Sequence, residues 1–307
     1  MKTFLHNMDG LNSFCTVATG TYGYEAALLM KSISLQSDKR IHLLTDKANE
    51  ARLRRAAPEN TDVLVIKDSH MRQREAEFQV DPDTVLPACP KFPALWNPAT
   101  ASLKTDIMSK AISESGNTLF MDADVILVNP VTHNFKSEVA ISRHNHVGMA
   151  GNSGYIFSSC PSFPGYWDRQ FRENFATGAV GNFCGQCGDI STTKLSERYK
   201  TSEFGVAHNY GPWRISPAAS DASGTDRLMD ELGFSADDDI YLDEGDGPEK
   251  MVSFHVHLCA KGHRSSSRNL IRTFYECLQR SAKEVHRQLM SFIKNIYLPN
   301  AFNTMTV

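Results

Sequence analysis

Between Ser13 and Ile66 the chain alternates two kinds of periodicity, and this narrows the possible folds more than any other feature. Ser13 to Thr19 is a short apolar run holding Phe14, Cys15, Val17 and Ala18. Tyr24 to Leu35 places Ala27, Leu28, Met30 and Ile33 at helical spacing. Ile41 to Leu44 is a second short run closing at Thr45-Asp46, Ala48 to Ala57 a basic helix, and Asp62 to Ile66 a third strand. Strands separated by helices are joined by crossovers, which makes them parallel and covers both faces of their sheet. The expectation is an α/β chain built on a doubly wound, mostly parallel sheet. Ligands of such sheets bind beyond the carboxyl ends of the strands, which here points to the loop from Thr19 to Tyr24.

The same logic draws attention to Asn117–Pro130. Thr118 to Met121 reads as a buried strand, Val125 to Val128 as a second apolar run, and Asp122 and Asp124 stand between them. Carboxylates wedged between buried segments are costly to ionise unless a cation or a set of donors meets them. Hard oxygen ligands at a strand's carboxyl end suit Mg²⁺ or Mn²⁺ carried on a substrate's phosphates. A pair of aspartates in a polar turn is the plainer reading.

Composition sets outer bounds. The 307 residues, 41% hydrophobic and 22% charged, suffice for one large domain with additions or for two small ones. A net charge of −3 gives no reason to expect nucleic acid as the main partner. Of seven cysteines only Cys184 and Cys187 are closely spaced. They lack a second pair to complete a zinc site, so free thiols in a reducing compartment are expected. Met1 to Gly10 has no apolar signal-peptide core and no segment is long enough to span a bilayer. These features lead to the expectation of a cytoplasmic protein.

Phe120-Met121-Asp122-Ala123-Asp124 resembles the D-x-D strand of GT-A glycosyltransferases, especially glycosyltransferase family 8, which includes glycogenin. Other landmarks fall in the same order over roughly residues 13 to 262. Tyr22, Ala26, Leu29 and Ser32-Ile33 fall at the spacings of the family's opening helix, and Gly151-Asn152-Ser153-Gly154 resembles its Asn-Ser-Gly strand. His255 and Lys261 match the spacing of its His-x-x-Gly-x-x-Lys, with Leu258 in place of the glycine. Where the family carries Asp-Gln, this chain has Gly185-Gln186, with Asp189 three residues beyond Gln186.

The resemblance implies a GT-A catalytic domain over 1–263, with 264–307 as a helical extension packed on it. It implies a divalent ion, Mn²⁺ or Mg²⁺, on Asp122, Asp124 and His255. It also implies a nucleotide-diphosphate sugar donor, a UDP-sugar above others, contacted by Thr19, Tyr22, Lys104, Asp122, Ala123, Asn152, Ser153 and Lys261. Gln186, Asp189 and Lys261 are the implied catalytic residues, with retention at the anomeric carbon and a glycan, glycolipid or protein hydroxyl as acceptor. Each role has a plainer counterpart. Tyr22 could pack on the sheet edge, Lys104 could belong to the solvated face of a helix over Ala101–Ser113, and Asp189 could cap a helix running from Lys194 to Tyr199. His257 is expected on the strand face opposite His255.

The remaining stretches are read from pattern alone. The proline-rich Asp68–Pro98 is expected to be an irregular loop. Val139–Ser142 is a strand, Arg143–Gly151 a polar loop with His144 and His146, and Pro161–Phe175 an aromatic-rich helix. Ser220–Lys250 is acidic and expected to be a solvated loop, followed by a strand at Met251–Phe254. Arg264–Val307 has apolar residues at helical spacing beside basic ones such as Arg268, Arg272, Arg280, Lys283, Arg287 and Lys294, so it either packs on the domain or touches anionic lipid. Two other functions share the sheet and its aspartates. A sugar-phosphate nucleotidyltransferase would want a Gly-rich phosphate loop with an arginine, which Gly20–Gly23 lacks, and a non-catalytic nucleotide-sugar binder would have lost the catalytic region.

Overall fold

The computed structural model describes residues 8–78, 98–143, 150–177, 188–215, 229–256, 258 and 265–297. Four strands make the parallel half of the main sheet: β1 (Ser13–Ala18), β2 (Arg40–Thr45), β3 (Thr61–Val65) and β4 (Thr118–Met121), ordered β3-β2-β1-β4. The helices between them are α1 (Gly23–Gln36), α2 (Lys47–Ala56), α3 (Asp68–Glu77) and α4 (Pro98–Ser115). Asp46 starts α2 as its N-cap, its side chain accepting from the Asn49 amide at 2.8 Å. From β1 the chain winds outward to β3, then returns to lay β4 on the other side of β1. The strand order therefore reverses between β1 and β4, where sheets of this kind hold ligands.

Beyond β4 the sheet continues through β7 (Ala150–Ser158), β6 (Val139–Arg143) and β9 (Thr201–Glu203), with β8 (Ile190–Ser191) on β7. β7 pairs antiparallel with β4, β6 and β8, and β9 runs parallel to β6, so β7 is the one reversed strand. Its amino-terminal residues thereby lie beside the carboxyl end of β4. After β4 the chain leaves the sheet as β5 (Val125–Leu127), which pairs antiparallel with β13 (Ser253–His255) and sets His255 opposite Val125. The core follows from these choices. Phe14, Leu119, Phe120, Met121, Tyr155 and Phe157 are all buried, and the thiol of Cys15, sealed within the sheet, is pushed up to about 12 by burial. Among the described residues Cys15, Cys160 and Cys277 are free thiols.

Two expectations are corrected. The first ten residues of the stretch read as an irregular loop, Asp68–Glu77, form α3. This helix has almost no apolar stripe; its anchor is the buried guanidinium of Arg74, which binds Asp106 of α4, Glu77 at 3.0 Å and Asp168 of α5 (Phe163–Thr177) at 2.9 Å. A helix tied down by ion pairs gives no hydrophobic periodicity to read. The acidic segment read as a solvated loop contains β10 (Phe234–Ala236), β11 (Ile240–Leu242) and β12 (Glu249–Lys250), a small antiparallel sheet. Phe234, Ala236, Ile240 and Leu242 enter the core with Phe254, and Asp239 is buried between Lys250 and Lys283. Strands of two or three residues are too short for alternation to stand out against flanking acids.

The carboxyl-terminal helices α7 (Ser265–Arg280) and α8 (Glu284–Phe292) share that core. Leu270, Phe274, Leu278 and Leu289 pack with Leu28 of α1 and Ile126 of β5, and His286 Nε2 lies 2.7 Å from the Val128 carbonyl. No helix among the described residues is long and apolar enough to cross a membrane.

Candidate metal and donor site

The turn after β4 decides the site. The Val125 amide donates to the Asp122 carbonyl at 3.0 Å, tightening the chain so that Ala123 is buried and the two aspartates differ in exposure. Asp122 stays partly exposed, whereas Asp124 is buried. Two backbone bonds hold this turn from either side: the Asp122 amide to the Gly154 carbonyl of β7 at 2.9 Å, and the Val256 amide to the Asp124 carbonyl at 3.1 Å. The second brings His255 in, with Nε2 at 3.0 Å from Asp124 Oδ1. Asp122, Asp124 and His255 thus offer ligand atoms that all lie within 4.8 Å of one another. Two cis ligands of an octahedral ion bound at about 2.1 Å stand about 3 Å apart, so the His255–Asp124 separation suits Mg²⁺ or Mn²⁺.

Gly154 is needed here for space. A Cβ on it would stand 2.5 Å from Asp122 Oδ2, 2.8 Å from His255 Cε1 and 2.9 Å from Asn152 Oδ1. The observed neighbours of Gly154 are thus the ligand side chains themselves. Asn152 and Ser153 are buried inside β7. Asn152 Oδ1 accepts from the Gly154 amide at 2.9 Å, and the Ser153 amide donates to Asp189 Oδ1 at 2.9 Å.

That last bond corrects the capping alternative for Asp189. The helix α6 (Thr192–Ser196) takes Ser191 as its N-cap, and Asp189 turns back into the site. Lys104 of α4 joins as well, with Nζ at 2.7 Å from Asp122 Oδ1 and 3.4 Å from Ser153 Oγ, so it is no mere member of a solvated face. On the β1 side, Thr19 precedes a 3-10 turn (Gly20–Tyr22), and Tyr22 is 43% exposed, whereas most large aromatics among the described residues are buried. Gln186, Lys261 and His257 lie outside the described residues, as do His144, His146, Cys184 and Cys187.

Two residues of this neighbourhood were missed from sequence. Asn209, fully buried, has its Oδ1 2.8 Å from His255 Nδ1 and its Nδ2 3.0 Å from Asn152 Oδ1. Trp213 packs edge-on to the His255 ring at a centroid distance of 5.0 Å, and Gly211 leaves room for its indole. Neither sits in a recognisable motif; His208-Asn209-Tyr210 reads as an ordinary polar interruption. A second acidic–imidazole group, His42, Asp62 and Glu114, lies toward the amino ends of β2 and β3. There Arg40 binds Asp62 and Lys110 binds Glu114.

No family model and no curated protein matches the chain. Solved structures do. The galactosyltransferase LgtC, in a complex with donor and acceptor sugar analogs, is similar at a TM-score of 0.50 and 14% identity, over 90% of this chain and 99% of that one. Mouse xyloside xylosyltransferase 1 in its apo form is similar at 0.46 and 8% identity, over 80% and 98% of the two chains. The glycosyltransferase GlyE of Streptococcus pneumoniae is similar at 0.47 and 12% identity, over 93% and 65%. The likeness to LgtC establishes the fold, a GT-A arrangement with a mostly parallel central sheet, as the sequence reading expected.

Proposed function

We propose that this chain is a metal-dependent glycosyltransferase that moves a sugar from a nucleotide-diphosphate donor to a hydroxyl acceptor. The observation that carries the proposal is the convergence of Asp122, Asp124 and His255 at the strand-order reversal of a GT-A fold. A Mn²⁺ or Mg²⁺ held there would supply Lewis-acid stabilisation of the departing diphosphate.

The chain's own residues prepare the rest. Asp124 and His255 are buried and braced by backbone bonds, so their positions are set before any ligand arrives. Lys104 places an ammonium group beside Asp122 and Ser153, where it can meet a donor oxygen as well as the carboxylate. The exposed ring of Tyr22 offers a stacking face for the nucleotide base. Asp189 fixes the Ser153 backbone, which lines the same floor. Lys261 keeps the role that the family resemblance implies, a cation for the diphosphate as negative charge grows on it. Gln186 keeps the role implied by its place in the family pattern.

The deciding experiment is a thermal-shift screen of nucleotide sugars with Mn²⁺, followed by turnover with and without acceptor. A ligand at a hundred times its dissociation constant adds about 2.7 kcal/mol of stability. Stabilisation that needs both metal and nucleotide sugar, with sugar transfer or hydrolysis, supports the reading. Failure of every nucleotide sugar to stabilise the protein would end it.

A further inference from the structure

We infer that Asn209 is a positioning residue that selects the tautomer of His255 in which Nε2 carries the lone pair. The inference rests on the metal site proposed above and goes one step behind it.

The argument begins at a group whose role is not in doubt. A backbone N–H only donates, so the Asn152 atom 2.9 Å from the Gly154 amide is the amide oxygen. That oxygen also faces the Asn209 side chain at 3.0 Å. The Asn209 atom opposite an acceptor must be the NH₂, which leaves the Asn209 oxygen at the other end of its amide. An amide oxygen only accepts, so the His255 Nδ1 that lies 2.8 Å from it must carry the proton. In the neutral ring Nε2 is then the acceptor. It faces Asp124 Oδ1 at 3.0 Å, and two acceptors at that distance repel unless a proton or a metal ion joins them.

The backbone is arranged for this purpose. Asn209 has φ of +54°, a left-handed conformation that asparagine tolerates better than most residues. Its amide donates to Ser253 Oγ at 2.9 Å, and its neighbour Tyr210 forms a bridge with Phe254. A strained, fully buried residue is thus pinned to β13, two residues from the imidazole it orients, and its side chain reaches β7 at the other end. One amide links both strands that flank the aspartates. Outer partners of this kind hold a ligating histidine in orientation and tautomer.

The test uses full-length protein with ¹⁵N-labelled histidine, metal-free, at a pH where the ring is neutral. The His255 signal is identified by its loss in His255→Gln. In the unmodified protein Nδ1 should appear as the protonated nitrogen and Nε2 as the unprotonated one. The reverse assignment would overturn the inference whatever the variants do. Asn209→Gly keeps the left-handed backbone open while removing the amide. It should yield a tautomer mixture and a Mn²⁺ affinity, read by electron paramagnetic resonance, roughly 10- to 100-fold weaker. Asn209→Asp, which retains an acceptor for Nδ1–H, should restore the single tautomer. A Gly variant with unchanged tautomer and unchanged Mn²⁺ affinity would refute the assignment. Absence of Mn²⁺ binding in the unmodified protein would instead strike the metal reading, and the nitrogen signals would still decide the part played by Asn209.

Discussion

The sheet carries similar groups at its two ends, each a histidine with two carboxylates. Toward the amino ends of β2 and β3 stand His42, Asp62 and Glu114; beyond the carboxyl end of β4 stand Asp122, Asp124 and His255. Residue type does not distinguish them; the cations beside them and the depth of the carboxylates do. At the amino end Arg40 binds Asp62 and Lys110 binds Glu114, so each carboxylate has its own cation on a partly exposed surface. At the carboxyl end Lys104 binds Asp122, while Asp124 is buried against an imidazole nitrogen. A buried carboxylate is costlier to keep ionised than a partly exposed one, and a metal ion bound there would offset that cost. The lesson is that three candidate ligands within reach are told apart by how deeply the fold buries their carboxylates.

The sharpest way to break this comparison is to neutralise one carboxylate at each end. Asp124→Asn should lower Mn²⁺ affinity by more than about 100-fold, beyond the typical cost of losing an outer partner, and take donor turnover below detection while the fold survives. Asp62→Asn should leave both unchanged and cost at most ~1 kcal/mol, as exposed ion pairs do. Calorimetric Mn²⁺ titration and steady-state assays read the outcome. Equal metal binding by the two variants would erase the distinction between the ends.

Next in size is the imidazole. His255→Ala should weaken Mn²⁺ binding roughly 10- to 100-fold, whereas His42→Ala should act on stability alone. An affinity loss in the His42 variant would make the amino end a metal site after all.

Gly154→Ala probes the space between ligands and leaves every ligand in place. The added methyl would meet Asp122 and His255, so it should cost roughly 10- to 100-fold in activity through misplacement, with little change in secondary structure by circular dichroism. An activity equal to the parent's would show that the ligands can move apart freely.

How much of this was legible beforehand differs between the same regions. The βαβ half was readable because each of its strands is a short apolar run and α1 carries apolar residues at helical spacing. The aspartates stood out because they interrupt such a run, and His255 because its spacing to Lys261 resembles the family's His-x-x-Gly-x-x-Lys. Asn209 and Trp213 were invisible: they reach the site through a left-handed residue and an edge-on ring, and neither leaves a period or a motif. Helix α3 was missed for a related reason. Its hold on the fold is Arg74 in a knot of carboxylates, and a lone arginine in sequence says nothing about burial. The small sheet at Phe234–Lys250 was hidden by its acids, of which Asp239 turned out to be an internal partner for two lysines.

The smallest expected effect concerns pH at the amino end. Burial is the main influence on the His42 imidazole and, with Arg40 and Lys110 beside it, outweighs the pull of Asp62 and Glu114, holding it below its ordinary value of 6.5. Its Nε2 lies 3.1 Å from Ser115 Oγ. The folded protein therefore keeps this ring neutral at a pH where the unfolded chain has begun to protonate its own. In that interval the unfolded state binds more protons, so unfolding free energy rises with pH. The contribution is present above pH 6.5 and is lost progressively as pH falls below it. His42→Gln, which keeps a polar group near Ser115 and cannot titrate, should flatten the slope of urea midpoint against pH below 6.5 relative to the parent. It should leave Mn²⁺ affinity at the far end of the sheet untouched. Superimposable slopes would mean that His42 titrates alike in the folded and unfolded chain. The amino-end group would then be a surface ion cluster with no buried ring at its centre.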